Sequence, residues 1–110
     1  MSDLIPWDKA RADMIARGQV TETGIARARM EQDAYVAGHR LAELRALTGM
    51  TQTQVATAMG VTQARVSAME RGTINILTVA SVRAYVAALG GTVRLVASLD
   101  DTDVTLRLPA

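Results

Sequence analysis

Apolar positions follow a helical period along most of the chain and switch to alternation near its end. A first helix is predicted over Trp7 to Arg17. Pro6 suits a first helical position, no breaker interrupts the stretch, and Gly18 suits the residue just past its end. Trp7, Met14 and Ile15 fall at helical spacing on it. Thr21 is a candidate N-cap for a second helix through Ile25, Ala28 and Tyr35. Gly24 and Gly38 each cost that helix roughly 1 kcal/mol relative to Ala. A bend or break is therefore expected at Gly38, ahead of Leu41, Leu44 and Leu47.

Short helices with tight connections follow. Leu41–Thr48 ends at Gly49, Gln52–Met59 at Gly60, and Gln63–Arg71 at Gly72. A further helix over about Leu77–Leu89 carries Val79, Val82, Val86 and Leu89 on one stripe and stops at Gly90-Gly91. The tail then alternates: Val93, Leu95, Ala97 and Leu99 face one way, Arg94 and Ser98 the other. Val104, Leu106 and Leu108 repeat the alternation after a turn at Asp100-Asp101, so the tail reads as two strands or a hairpin. An isolated hairpin is marginal in water and is expected to pair with something else.

Composition narrows the functional classes. The 110 residues fit one domain with an added arm. The lack of Cys excludes disulfides, thiolate metal sites and Cys nucleophiles. A single His, His39, makes a His-based metal site or triad a poor expectation, and it reads as a surface or capping residue. The six Met residues are scattered like core filler. Ser67 and Ser81 lie far in sequence from Lys9, and no phosphate-cradling glycine loop is present, so no enzyme, no metal and no cofactor is expected. No stretch reaches the ~20 apolar residues needed to span a bilayer and no signal peptide opens the chain, which points to a cytoplasmic protein. The formal net charge is +1, but residues 37–90 hold Arg40, Arg45, Arg65, Arg71 and Arg83 against only Glu43 and Glu70. A basic middle suggests a polyanion partner.

The segment from Thr51 to Gly72 carries the most information. Two short helices meet at Gly60, which allows the positive φ of a tight turn, and Ala56 is small enough for a close helix crossing. Val55, Val61, Val66 and Met69 supply the apolar positions that lock the pair. With its Thr-Gln opening, Ala-then-Gly spacing and Ser-x-x-Glu-x-Gly ending, the stretch from about Leu41 to Leu89 resembles the phage-repressor-like (Xre) helix-turn-helix family. The resemblance implies that Gln63–Arg71 lies in the DNA major groove. Thr62 would cap this helix near a phosphate, and Gln63, Ala64 and Ala68 would face the bases, Gln toward adenine and Ala toward a thymine methyl. Arg65 and Ser67 would flank that face, Gln52 would clamp a phosphate, and Arg71 and Asn75 would add backbone contacts. Arg45 and Glu70 match a buried ion pair of the family that orients the recognition helix without touching DNA.

Two extensions flank that core. The tail looks like a dimerisation sheet, with Val93, Leu95, Ala97, Leu99, Val104 and Leu106 as its candidate contacts. Pairing across a two-fold axis would place two recognition helices on one face of a palindromic operator. The alternative is a hairpin packed on its own helices. The N-terminal arm carries Leu4, Ile5, Trp7, Met14 and Ile15 on an otherwise charged segment, as a partner-binding or a core-packing helix would. A Trp-containing arm, a long helix, an Xre core and an ending like Ala-Leu-Gly-Gly-Thr-Val-Arg-Leu-Val-Ala are together similar to HigA-type antitoxins. That resemblance implies neutralisation of a small basic ribonuclease toxin of the RelE/HigB kind and repression of the protein's own operon. The expected architecture is mainly α, a lambda-repressor-like helix-turn-helix bundle. It would comprise an N-terminal helical arm (1–36), a DNA-binding domain (37–90) and a C-terminal β element (91–110). The expected partners are double-stranded DNA, a second copy in a homodimer and the toxin, without a membrane. A plain Xre-type repressor without a toxin, and a protein-interaction module that binds no DNA, are the alternatives.

Overall fold

The computed structural model describes residues 21–107, so the arm residues Leu4, Ile5, Trp7, Met14 and Ile15, and Leu108 of the tail, lie outside the described residues. The chain divides into two compact units, 1–33 and 34–110. The described elements run α1 (Glu22–Thr48), α2 (Gln52–Met59), α3 (Gln63–Glu70), a 3-10 turn (Ile74–Ile76), α4 (Val79–Ala88), β1 (Leu95–Leu99) and β2 (Thr102–Leu106). The fold is mainly helical with a C-terminal two-stranded antiparallel sheet.

Threonines begin these helices. Thr21 accepts the Gly24 N–H at 2.9 Å, and Thr51 and Thr78 each form a reciprocal capping box, with Gln54 and Ser81 respectively. Each cap satisfies helix-end N–H groups that have no partner within the helix, a contribution of about 1 kcal/mol apiece.

The expected bend at Gly38 does not occur: α1 is one 27-residue helix. The reason is packing across the chain. A Cβ on Gly38 would stand 2.5 Å from the Met69 carbonyl oxygen and 2.7 Å from the Gly72 nitrogen. A Cβ on Gly72, which adopts φ +80, would stand 2.5 Å from the Tyr35 Cα. Two glycines thus let the middle of α1 lie directly against the end of α3, and Gly38 is a crossing point within a continuous helix.

Leu41, Val55, Ala56, Val66, Met69, Tyr85 and Val86 form the core, with Met50, Met59, Ile76, Leu77, Val82, Leu89 and Val93 packed around it. Several apolar positions of the predicted helices and turn, including Val61 that was expected to lock the α2–α3 pair, lie outside this core. Leu44, Leu47 and Val79 are exposed, Leu47 by 84%, and Val61 sits at the surface in the turn between α2 and α3. Met30 is likewise exposed, so the methionines are not uniformly filler. His39 is exposed and stacks on Tyr35 with ring centroids 6.1 Å apart.

In the tail, Leu95 pairs with Leu106, Ala97 with Val104 and Leu99 with Thr102, leaving Asp100-Asp101 as a two-residue turn. Asp100 takes φ +54, a left-handed conformation that Asp tolerates better than most residues. Val93 packs on the helical core, whereas Leu99, Val104 and Leu106 are exposed.

Gly38→Ala separates crossing point from hinge. In an open helix this change would add up to about 1 kcal/mol of stability. Against the Met69 carbonyl it should instead destabilise by about 1–3 kcal/mol, read from the urea midpoint.

Candidate nucleic-acid interface

α2, the turn and α3 are built around one reversal of the chain. Gly60 adopts φ +73, its N–H bonds the Thr57 carbonyl at 3.2 Å, and the Val61 N–H bonds the Ala56 carbonyl at 3.0 Å. Thr62 then opens α3 with its hydroxyl accepting the Arg65 N–H at 3.1 Å. Val55, Ala56, Val66 and Met69 are buried beneath the crossing, which fixes α3 on α2. This leaves Thr62, Gln63, Ala64, Arg65, Arg71 and Asn75 exposed, with Gln52, Ser67 and Ala68 half-buried. Arg71 donates to the Ser67 hydroxyl at 2.6 Å, one turn back on the same helix face. Asn75 lies in the 3-10 turn that follows.

Behind α3 sits a polar cluster centred on Glu70, whose side chain is 7% exposed. Arg45 from α1 grips it with two bonds, Nε to Oε2 at 2.7 Å and Nη2 to Oε1 at 2.9 Å, and holds the Met50 carbonyl with Nη1 at 3.0 Å. The Tyr85 hydroxyl of α4 lies 2.5 Å from Glu70 Oε2 and 3.1 Å from the Leu41 carbonyl oxygen. It has one proton to give, and the charged and nearer oxygen takes it. Gln52 of α2 donates to Glu70 Oε1 at 3.0 Å. One carboxylate therefore ties together all four described helices.

Burial alone pushes the Glu70 carboxyl up. The hydrogen bonds from Arg45, Tyr85 and Gln52, together with the Arg45 charge, outweigh it and hold the carboxyl below its ordinary value of 4.5. The bond to Glu70 raises Arg45 despite its partial burial. Burial, reinforced by the neighbouring carboxylate, pushes the Tyr85 hydroxyl above its ordinary value of 10.0.

The cluster also orients the two glutamines on the α2–α3 side. A carboxylate only accepts, so Gln52 must turn its NH2 group toward Glu70. Its oxygen is then free to accept from Gln63 Nε2, which lies 2.6 Å away. Gln63 is left with one N–H and its carbonyl oxygen for whatever approaches α3 from outside.

Comparison with known proteins agrees with this geometry. Residues 36–99 match a family described as a helix-turn-helix domain. A protein of Mycobacterium tuberculosis (strain ATCC 25618 / H37Rv) named as an antitoxin, HigA3, is 46% identical over 101 residues, covering 91% of this chain and 93% of that protein. The chain belongs to the HigA family of helix-turn-helix proteins. A second relative from the same strain, named as antitoxin HigA2, is 38% identical over 94 residues, covering 86% of this chain and 93% of the other. Two solved structures are similar as well. One, described as DNA-bound antitoxin HigA3, has a TM-score of 0.56 at 43% identity, covering 63% of this chain and 90% of the other. The other is described by induced DNA bending through unique dimerization of a HigA antitoxin, with a TM-score of 0.55 at 46% identity, covering 64% of this chain and 93% of its own.

Within this HigA-family chain, sequence reasoning missed Tyr85 and the bonds joining Gln63, Gln52 and Glu70. The signal for Tyr85 was present: it is a lone aromatic at helical spacing from Val82 and Leu89, and a buried Tyr needs a partner for its hydroxyl. Nothing in the spacing of Gln52 and Gln63 shows that two amides from different helices meet. Among the described residues no group of three His, Cys, Asp or Glu could hold a metal ion, and no helix is long and apolar enough to cross a membrane.

The cluster predicts a stability window in pH. Glu70 contributes fully above its ordinary value of 4.5 and less as the pH falls below it, because its folded value is depressed. Tyr85 contributes fully below 10.0 and less as the pH rises above it, because its folded value is raised. Glu70→Gln should cost about 3 kcal/mol near pH 7 and progressively less as the pH falls below 4.5 through the depressed folded value, where the wild-type carboxyl takes up its own proton. Tyr85→Phe should cost about 1–3 kcal/mol near pH 7 and remove part of the alkaline loss. Urea midpoints measured across pH check both; equal losses at every pH would contradict the charge assignment.

Proposed function

We propose that this protein is an antitoxin-type repressor of its own operon, which reads a palindromic operator with α3 and sequesters a small basic ribonuclease toxin of the RelE/HigB kind. The observation that carries the DNA-reading part is the orientation of Gln63. An N–H not used by Gln52 beside a carbonyl oxygen, on an exposed side chain, is the pattern that pairs with N7 and N6 of adenine in the major groove. The exposed Ala64 next to it suits contact with a thymine methyl, with half-buried Ala68 one turn further on. Gln52, whose second N–H is not used by Glu70, stands where α2 would meet a phosphate, and the Thr62, Arg65, Ser67, Arg71 and Asn75 side chains supply further backbone contacts.

Support for the antitoxin part comes from relatives named as antitoxins that match nearly the full length of the chain. The arm carrying Leu4, Ile5, Trp7, Met14 and Ile15 is the proposed toxin-binding segment, a Trp-bearing apolar stripe outside the helix-turn-helix core. The exposed apolar residues Ala97, Leu99, Val104 and Leu106 of the hairpin, with half-buried Leu95 beside them, are the proposed homodimer contacts. Val93 contributes from its place against the core.

Gln63→Ala should lower the preference for the operator over unrelated DNA by about 1–3 kcal/mol and leave the salt-dependent background binding in place. A footprint on the native promoter identical to wild type would overturn the base-reading role. Deleting residues 1–18 should abolish protection against the co-expressed toxin while DNA binding and the dimeric state stay unchanged. A truncated protein that unfolds would instead make the arm part of the structural core.

A further inference from the structure

The root of the hairpin is cationic and its tip is acidic. Arg94 and Arg107 stand one position beyond the Leu95–Leu106 pair, and together with Arg83 of α4 they line a cleft of about 680 Å³, with the Thr92 and Thr105 side chains beside them. Like charges at directly opposed strand positions repel, and no carboxylate is among the described residues lining the cleft. At the far end of the same hairpin lie Asp100 and Asp101 in the turn and Asp103 just after it. The five residues of β2 separate Asp101 from Arg107, a span of about 20 Å, so a hairpin cannot bring its own tip to its own root.

The spacing is symmetric. Arg107 and Asp101 lie three residues either side of Val104, so an antiparallel pairing of β2 with itself about Val104 sets every Asp101 opposite the partner's Arg107. Directly opposed residues of an antiparallel pair share a sheet face, and Asp101 and Arg107 flank β2 by one residue at either end. β2 is the edge suited to this. All five of its residues are exposed, whereas β1 is anchored at its root by half-buried Leu95 and by Val93 on the core. Among the described residues β2 pairs only with β1, which leaves its outer edge bare.

We propose that the arginine cleft at the hairpin root is the receptor for the acidic turn of a second copy of this chain, with the two β2 strands pairing antiparallel about Val104 into a four-stranded sheet. This rests on the reading of the hairpin as the dimer contact and fixes its register. Two such tip-to-root contacts form per dimer, which couples charge complementarity to strand register. A shift of two residues would keep the same faces together but separate Asp101 from the partner's Arg107.

Charge exchange tests it. A tip variant (Asp101→Lys with Asp103→Lys) and a root variant (Arg94→Glu with Arg107→Glu), each in the full chain, should each weaken their own homodimer, raising its Kd by roughly tenfold or more at low salt. Mixed in equal amounts, they should form a heterodimer of wild-type affinity, because each tip then meets a root of opposite sign; native mass spectrometry reads the species directly. Recovery on mixing also shows that both variants fold. Homodimers of unchanged affinity, or a mixture that yields no heterodimer, would overturn the proposal. So would a root variant that stays dimeric and loses only DNA binding, which would make the cleft a phosphate contact. Val104→Arg distinguishes the two levels. A Val104→Arg protein that remains dimeric removes the hairpin as the dimer contact altogether. A monomeric Val104→Arg protein combined with indifferent charge variants removes only the register.

Discussion

A single carboxylate, Glu70, sets the arrangement of the helices. It stands at the end of α3 and accepts from Arg45 on α1, Gln52 on α2 and Tyr85 on α4. Taking a charge out of water is unfavourable, and the group stays ionised because donors from three directions offset the lost hydration. Each donor is directional, so the same bonds that keep Glu70 charged also fix the angle at which the other helices meet α3. The shape of the exposed α3 face is thereby decided by groups behind it. The orientation of Gln63 is a case in point, since it is inherited through Gln52 from a residue that never reaches the surface Gln63 presents.

The glycine pair Gly38 and Gly72 supplies the complementary constraint. Bonds of 2.7 and 2.9 Å between Arg45 and Glu70 require α1 to approach the end of α3 closely. Side chains at Gly38 or Gly72 would keep the two backbones apart. The cost of Gly38 to helix propensity is modest beside what a displaced α1 would lose, since Arg45 would retreat from a charge left buried. Local propensity and tertiary packing thus pull in opposite directions at Gly38, and packing wins.

That conflict explains much of what the sequence did and did not disclose. The short helices from Gln52 onward were legible, because threonine caps and terminal glycines bracket each one and local rules decide their ends. The hairpin was legible through alternation and its Asp-Asp turn. Gly38 was misread because its role depends on Met69, Glu70 and Gly72, more than thirty residues away. The exposed Leu44 and Leu47 and the buried Tyr85 share that cause: period alone marks which residues are apolar, and the crossing angles decide which of them meet a neighbour. The pairing of Gln52 with Gln63 was hidden for the same reason, although both residues could be singled out from their positions next to helix starts.

α2 and α3 have eight residues each, well below the length at which an isolated helix persists in water. Neither can survive as a fragment once the core around Val55, Val66 and Met69 opens. The surface that α3 presents is therefore an all-or-none property of the folded chain, with no partly active intermediate. Any ligand that grips α3 must then protect the whole unit by mass action, by about 2.7 kcal/mol at a hundredfold excess over its Kd. Occupancy and lifetime are coupled: a molecule engaged through α3 would resist unfolding and proteolysis longer than a free one.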